Sequence, residues 1–153
     1  MGAEQGYAQA QFYFGFCYTA GHGVVQDDIE SIKWIRKAAE QGLAAAQFNL
    51  GLMYANGQSV ERDLNKAVDW CNRAAEQGNV GAQKLLGMIY FRGDGVPQDY
   101  VQAYKWTSLA AAQSDKDAAA TRVDIAGKMT TAEIAAAEEL ARGWEPTVNT
   151  GVH

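Results

Sequence analysis

The residue types that most often carry catalysis are few here and poorly placed for it. His22 and His153 are the only histidines. A cysteine–histidine dyad would pair Cys17 with His22, about one helical turn later, so that the imidazole could draw the proton from the thiol. Cys17, however, occupies the position that Met53 and Ile89 take further along the chain, which marks it as a core residue. Asp27-Asp28 has the look of paired carboxylates, and Gly93-Asp94-Gly95 that of a calcium or phosphate loop. The ligand spacing of an EF-hand is missing around that loop. No cluster of His, Cys and carboxylates has metal-ligand spacing. The reading is a chain with no catalytic residues, no metal and no cofactor.

What remains is chemistry of contact. Phe12, Tyr13, Phe16, Phe48, Asn49, Leu52, Lys84, Met88, Phe91 and Arg92 form a set rich in aromatics, Met and Arg, the composition of binding hot spots. These side chains change from one stretch of the chain to the next against a background that does not. That background is an internal repeat. Ala-Glu-Gln-Gly begins at Ala3, Ala39 and Ala75, 36 residues apart. The same step aligns Gln11, Gln47 and Gln83; Gly15, Gly51 and Gly87; Tyr18, Tyr54 and Tyr90; Gly21, Gly57 and Gly93; Asp27, Asp63 and Asp99; and Trp34, Trp70 and Trp106.

Each unit reads as two helices. Helix A runs over about residues 7–19, 43–55 and 79–91, with apolar positions at helical spacing such as Ala46, Leu50 and Tyr54. Gly21, Gly57 and Gly93 end it by accepting the left-handed conformation. Helix B starts after Asp27, Asp63 and Asp99, whose carboxylates can accept hydrogen bonds from the first free backbone N–H groups. Gly15, Gly51 and Gly87 sit inside helix A at an intrinsic cost of about 1 kcal/mol each, offset by letting helix B approach closely. Ala38-Ala39 and Ala74-Ala75 serve the same approach from the other side. Cys17 and Cys71 fall in different units at different positions and are expected to be buried free thiols.

The pattern Gly-x-x-Tyr-x-x-Gly-x-Gly-Val, then Asp, then Ala-x-x-x-Trp-x-x-x-Ala-Ala and Glu-Gln-Gly resembles the Sel1-like repeat, a relative of the tetratricopeptide repeat. Gly87, Tyr90, Gly93, Gly95, Val96, Asp99, Ala103, Trp106 and Ala110 carry it most completely, and the likeness covers about residues 3–114. It implies an all-α fold, a right-handed α/α superhelix of helix-turn-helix units. It further implies a bacterial protein-interaction scaffold that takes a peptide, helix or partner domain on the concave helix-A face, where the ten residues above lie. Recognition of cell-wall glycan, or assistance to envelope enzymes, is the alternative of a different class. A purely structural array is the third.

The units are expected at residues 7–42, 43–78 and 79–114, after a remnant of an upstream helix B at 1–6. That remnant points to a trimmed chain and to self-association through its open end. Ser59 replaces the second turn glycine of the middle unit. After Gln113 the pattern fades, with Val123 at the helix-A glycine position. Thr130 and Glu133 form a capping box, so residues 115–143 read as a degenerate helix pair closing the array, and 144–153 as a flexible tail.

A net charge of -5 and the lack of any Lys/Arg run argue against nucleic acid as partner. No stretch has the roughly 20 apolar residues that span a bilayer. The first residues do not form a charged segment followed by an apolar one, as a signal peptide would.

Overall fold

The computed structural model describes the backbone of residues 2–20 and 28–147, and in the first helix the side chains of residues 6–15. Over these residues the chain is all-helical. The elements are α1 (Gly2–Ala20), α2 (Asp28–Glu40), α3 (Ala44–Asn56), α4 (Leu64–Glu76), α5 (Val80–Arg92), α6 (Tyr100–Ala112), α7 (Lys116–Ala126) and α8 (Thr131–Gly143). Consecutive helices pack in order, α1 on α2, α2 on α3, and so on to α6. That succession of nearest-neighbour contacts is the solenoid.

The punctuation works as its chemistry requires. Asp63 accepts a hydrogen bond from the Lys66 backbone N–H at 3.1 Å, and Asp99 one from Gln102 at 3.1 Å, so both cap a helix B. Asp27, Gly21 and His22 lie outside the described residues. Gly57 and Gly93 end helix A with φ of +67° and +75°. Ser59 adopts φ +62° where the next unit has Gly95 at +73°, so the serine occupies a backbone region its Cβ disfavours.

The glycines inside helix A hold the two helices of each unit together. A methyl group on Gly51 would stand 2.5 Å from Cys71 Sγ, and one on Gly87 2.5 Å from Thr107 Cγ2. One on Gly15 would stand 2.7 Å from Ile35 Cγ1. Ile35, Cys71 and Thr107 are themselves a 36-residue series, so the fit of helix B into the glycine notch repeats with the sequence. Behind it lie Ala38, Ala39, Ala46, Leu50, Ala74, Ala75, Ala82 and Leu86, all fully buried.

The recurring glutamines have a structural role too. Buried Gln47 donates to the Ala39 carbonyl at 3.1 Å and accepts from the Gln77 side chain at 2.8 Å. Gln83 repeats this with Ala75 at 3.2 Å and Gln113 at 3.0 Å. A buried amide that satisfies both ends fixes the B-to-A corner between units. The Gln of Glu-Gln-Gly is therefore one half of an amide pair.

Three boundaries differ from expectation. First, α1 continues through Gly6 to Gly2, where Gly42 and Gly78 end a helix B at φ +93°.

Second, α7 and α8 do not form a helix-A/helix-B pair. Each packs on α6 rather than on the other. Val123 stands where the other units have the notch glycine, and at 68% exposed it has no helix B seated against it. The turn between α7 and α8 is also shorter, residues 127–130 against 93–99 between α5 and α6. The capping box at Thr130 and Glu133 is formed, and Tyr104 on α6 donates to Glu138 on α8 at 3.3 Å.

Third, the tail is not free over its first residues. Trp144 Nε1–H donates to the Glu76 carboxylate at 3.1 Å, and the Thr147 N–H to the Glu76 carbonyl at 2.6 Å. Trp144 also meets Trp106 edge to face, with ring centroids 6.4 Å apart. Indole burial and two hydrogen bonds outweigh the entropy of a short extended segment. Residues 148–153 lie outside the described residues.

Candidate functional site

Helix A presents its 3.6-residue periodicity to three environments. One side enters the glycine notch and the alanine core. A second faces the next unit. The third is open.

Phe12, Phe48 and Lys84 form one 36-residue row, and all three are engaged with neighbouring structure. Phe12 packs against the core cluster that holds Ile35, Ala39 and Leu50. Phe48 lies over Gly81 of the following helix A, where an added methyl would fall 2.7 Å from its ring. Lys84 reaches the next helix A by charge, at 3.2 Å from Asp115 and 3.7 Å from Asp117. Asp115 is the N-cap of α7, and its carboxyl is held below the usual carboxylate range by the Ala118 N–H first and by Lys84 as well. The row changes from aromatic to ionic yet performs the same service of tying one unit to the next.

Phe91 is engaged as well, 5.7 Å from the Tyr100 ring and packed on the core cluster of Tyr104 and Ile125. Of the others, those whose side chains are described are exposed or half-buried. Met88 is 40% exposed and Arg92, one turn later, is exposed. Leu52 is the equivalent of Met88 on α3 and is half-buried, as is Asn49. Tyr13 is 67% exposed on α1. The Phe16 side chain lies outside the described residues. Leu52 and Asn56 on α3, and Met88 and Arg92 on α5, are i, i+4 pairs, each on one face of its helix and equivalent at the 36-residue step.

The opposite helix, B, carries its own aromatic row. Trp34 lies under Lys37 Nζ at 4.6 Å, Trp70 under the Arg73 guanidinium at 4.5 Å, and Trp106 under Lys105 Nζ at 4.3 Å. Trp34 and Trp70 are half-buried, while Trp106, with Trp144 against it, is 2% exposed. The Trp144 contact was not anticipated from sequence. Its one signal was that, of four tryptophans, three fall in the 36-residue register and this one does not.

Among the described residues the titratable side chains show no reactive cluster. Cys71 is free and fully buried, and burial pushes its thiol up to about 12, away from thiolate chemistry. Cys17 lies outside the described side chains. Among the described residues no group of three His, Cys, Asp or Glu is arranged to hold a metal ion. Nor is any helix among them long and apolar enough to cross a membrane.

Paired antiparallel helices stacked in one direction, each pair locked by a glycine notch and an amide pair, define a helical-repeat solenoid. Within that class the repeat model that matches is the Sel1 repeat, at residues 8–43, 44–79 and 80–115. The chain belongs to the Sel1 repeat family. Its three windows keep the 36-residue period and begin one residue later than the units read from sequence.

Twenty-three chains of solved structure match. A Sel1 repeat protein from Oxalobacter formigenes is 37% identical with a TM-score of 0.73, over 75% of this chain and 47% of that one. A protective antigen present in uropathogenic Escherichia coli strains, displaying an SLR fold, is 31% identical with a TM-score of 0.74, over 93% of this chain and 38% of that one. The chain therefore spans less than half the length of either. No curated protein matches it. Sel1 repeats are in general modules of protein–protein interaction, and the fold is typically a non-catalytic scaffold.

Proposed function

We propose that the chain is an interaction scaffold that binds a peptide, helix or partner domain on its helix-A face, with Leu52, Met88 and Arg92 at the centre and Asn49 beside them. The observation that carries this reading is the contrast along α5. Lys84 is tied to the next unit and Phe91 to Tyr100, while Met88 and Arg92 stand open between and beyond them. An exposed methionine beside an arginine offers an adaptable apolar surface with a charged, planar hydrogen-bond donor, a combination suited to protein partners.

Phe12, Phe48 and Lys84 support this face from beneath by fixing the spacing of the helices. Tyr13 extends it on α1. Affinity capture from the source cells, with wild type and a Leu52→Ala/Met88→Ala variant side by side, tests the proposal. The expected result is a partner retained by the first and lost by the second, while the helical circular dichroism of the two is equal. Equal capture by both overturns it. Saturable titration by glycan fragments, lost in the same variant, would assign the face to sugar instead.

A further inference from the structure

The last described residues of the chain show what the helix-B side of this solenoid can hold. Trp144 seats its ring against Trp106, directs its Nε1–H to the Glu76 carboxylate, and is followed three residues later by the Thr147 N–H on the Glu76 carbonyl. Pro146 keeps the segment extended and lies over Gly78. The receptor is thus a slot made of a helix-B tryptophan and the Glu-Gln-Gly corner of the preceding unit.

Both parts of that receptor belong to the 36-residue repeat. One unit earlier they are Trp70 and the corner of Glu40 and Gly42. There Glu40 is exposed and Trp70 half-buried, against the half-buried Glu76 and almost fully buried Trp106 of the filled slot. Gly42 and Gly78 share a φ of +93°, so the corner keeps the same backbone turn in both places. Two neighbours of the tryptophan differ, and the first is Lys105, 4.3 Å from the Trp106 ring, whose equivalent is Asp69. The second is Leu109, packed like Trp144 on the core cluster around Trp106, which is replaced by Arg73, whose guanidinium lies 4.5 Å from the Trp70 ring.

We infer that Trp70, Arg73 and Glu40 form a second docking site, on helix B rather than helix A, for an extended segment of a partner protein. That segment carries a tryptophan whose indole N–H meets Glu40, a neighbouring acidic residue for Arg73, and a free backbone N–H three residues on. The chain's own Trp144-Glu145-Pro146-Thr147 has this chemistry and serves as the template. A second copy of the chain is disfavoured as the source. Its tail is tethered to its own slot, at an effective concentration on the order of millimolar.

The test is titration of a labelled peptide, Ala141–Thr150, into the full chain, followed by fluorescence anisotropy. Saturable binding is expected, weakened about tenfold or more by Glu40→Ala, as suits loss of a hydrogen bond to a charged acceptor. The same loss is expected when the peptide's Trp144 is replaced by alanine. Glu40 is exposed, so this variant keeps the fold, and equal circular dichroism verifies that. Absence of saturable binding up to about 1 mM peptide, an affinity too weak for a specific docking site, overturns the inference. So does binding that ignores Glu40→Ala and responds only to Glu76→Ala, because the peptide would then be exchanging with the chain's own tail. Self-association of wild type that Trp144→Ala abolishes would also overturn it, by assigning the slot to a second copy.

Discussion

Two rows on the same helices differ in what they do, although neither keeps a fixed residue type. Phe12, Phe48 and Lys84 vary, yet each is used up in joining one unit to the next. Leu52 and Met88, one helical turn along, vary and remain open or half-open. A position that varies in a repeat is therefore free of the repeat's internal packing but not of inter-unit packing. Only the geometry of stacking separates the two.

The contrast is broken most sharply by truncating the engaged row. Phe48→Ala removes a ring seated on Gly81, and is expected to lower unfolding stability by roughly 3 kcal/mol. Met88→Ala should stay within about 0.5 kcal/mol of wild type. Urea unfolding of the two variants decides, and equal losses would erase the distinction between the rows.

The buried side of helix A gives the next effect. Gly51→Ala gains helix propensity of about 1 kcal/mol but places a methyl against Cys71 Sγ and the Ala67 carbonyl. Overpacking should win, for a net loss of roughly 1–2 kcal/mol. Adding Cys71→Ala should return part of that loss in Gly51→Ala, whereas in a wild-type background Cys71→Ala should only destabilise. Additive losses in the double variant would show that the notch is not what Gly51 serves.

The same cysteine sets a pH dependence. Burial raises its thiol in the folded chain to about 12 from an ordinary value of 9.0. Folding thus favours the neutral form, and the stability it contributes is complete below pH 9 and lost as pH rises from there towards 12. The expected slope is about 1.4 kcal/mol per pH unit at most in that window. Cys71→Ala should flatten this part of the curve, and parallel curves for variant and wild type would show that the thiol is not responsible.

The smallest effect belongs to Lys84. Its ion pairs with Asp115 and Asp117 are partly exposed, so Lys84→Ala should cost under about 1 kcal/mol and less at high salt. A loss as large as that of Phe48→Ala would mean the two residues of this row are equivalent in energy as well as in place.

Much of this architecture was legible because it is written three times. The glycine notch, the Asp caps and the alanine core follow from residue type and a period. Gln47 and Gln83 were visible as recurring, but their amide pairing with Gln77 and Gln113 joins residues 30 apart across a corner, which periodicity alone does not connect. Where the sequence is written once, it was harder to read. Val123 announced a departure, but that α8 would desert α7 for α6 depends on which surface remains available. Trp144 had no repeat partner to define its role. The tail reads as loose because it is a terminus, and a single indole with one carboxylate holds its first residues down. As for the interaction face, sequence located the helix, while the division into engaged and open residues needed the next unit's position.

The open row of helix A is the place proposed for a partner to bind. Arg92→Glu reverses a charge on an exposed side chain at the end of α5 without touching the core, so it leaves the fold intact. Its dissociation constant for the partner captured by wild type, measured beside its thermal midpoint, tests that claim most directly. The expected result is an affinity loss of about tenfold or more, in the range of an interface arginine, at an unchanged midpoint. An unchanged dissociation constant would contradict it.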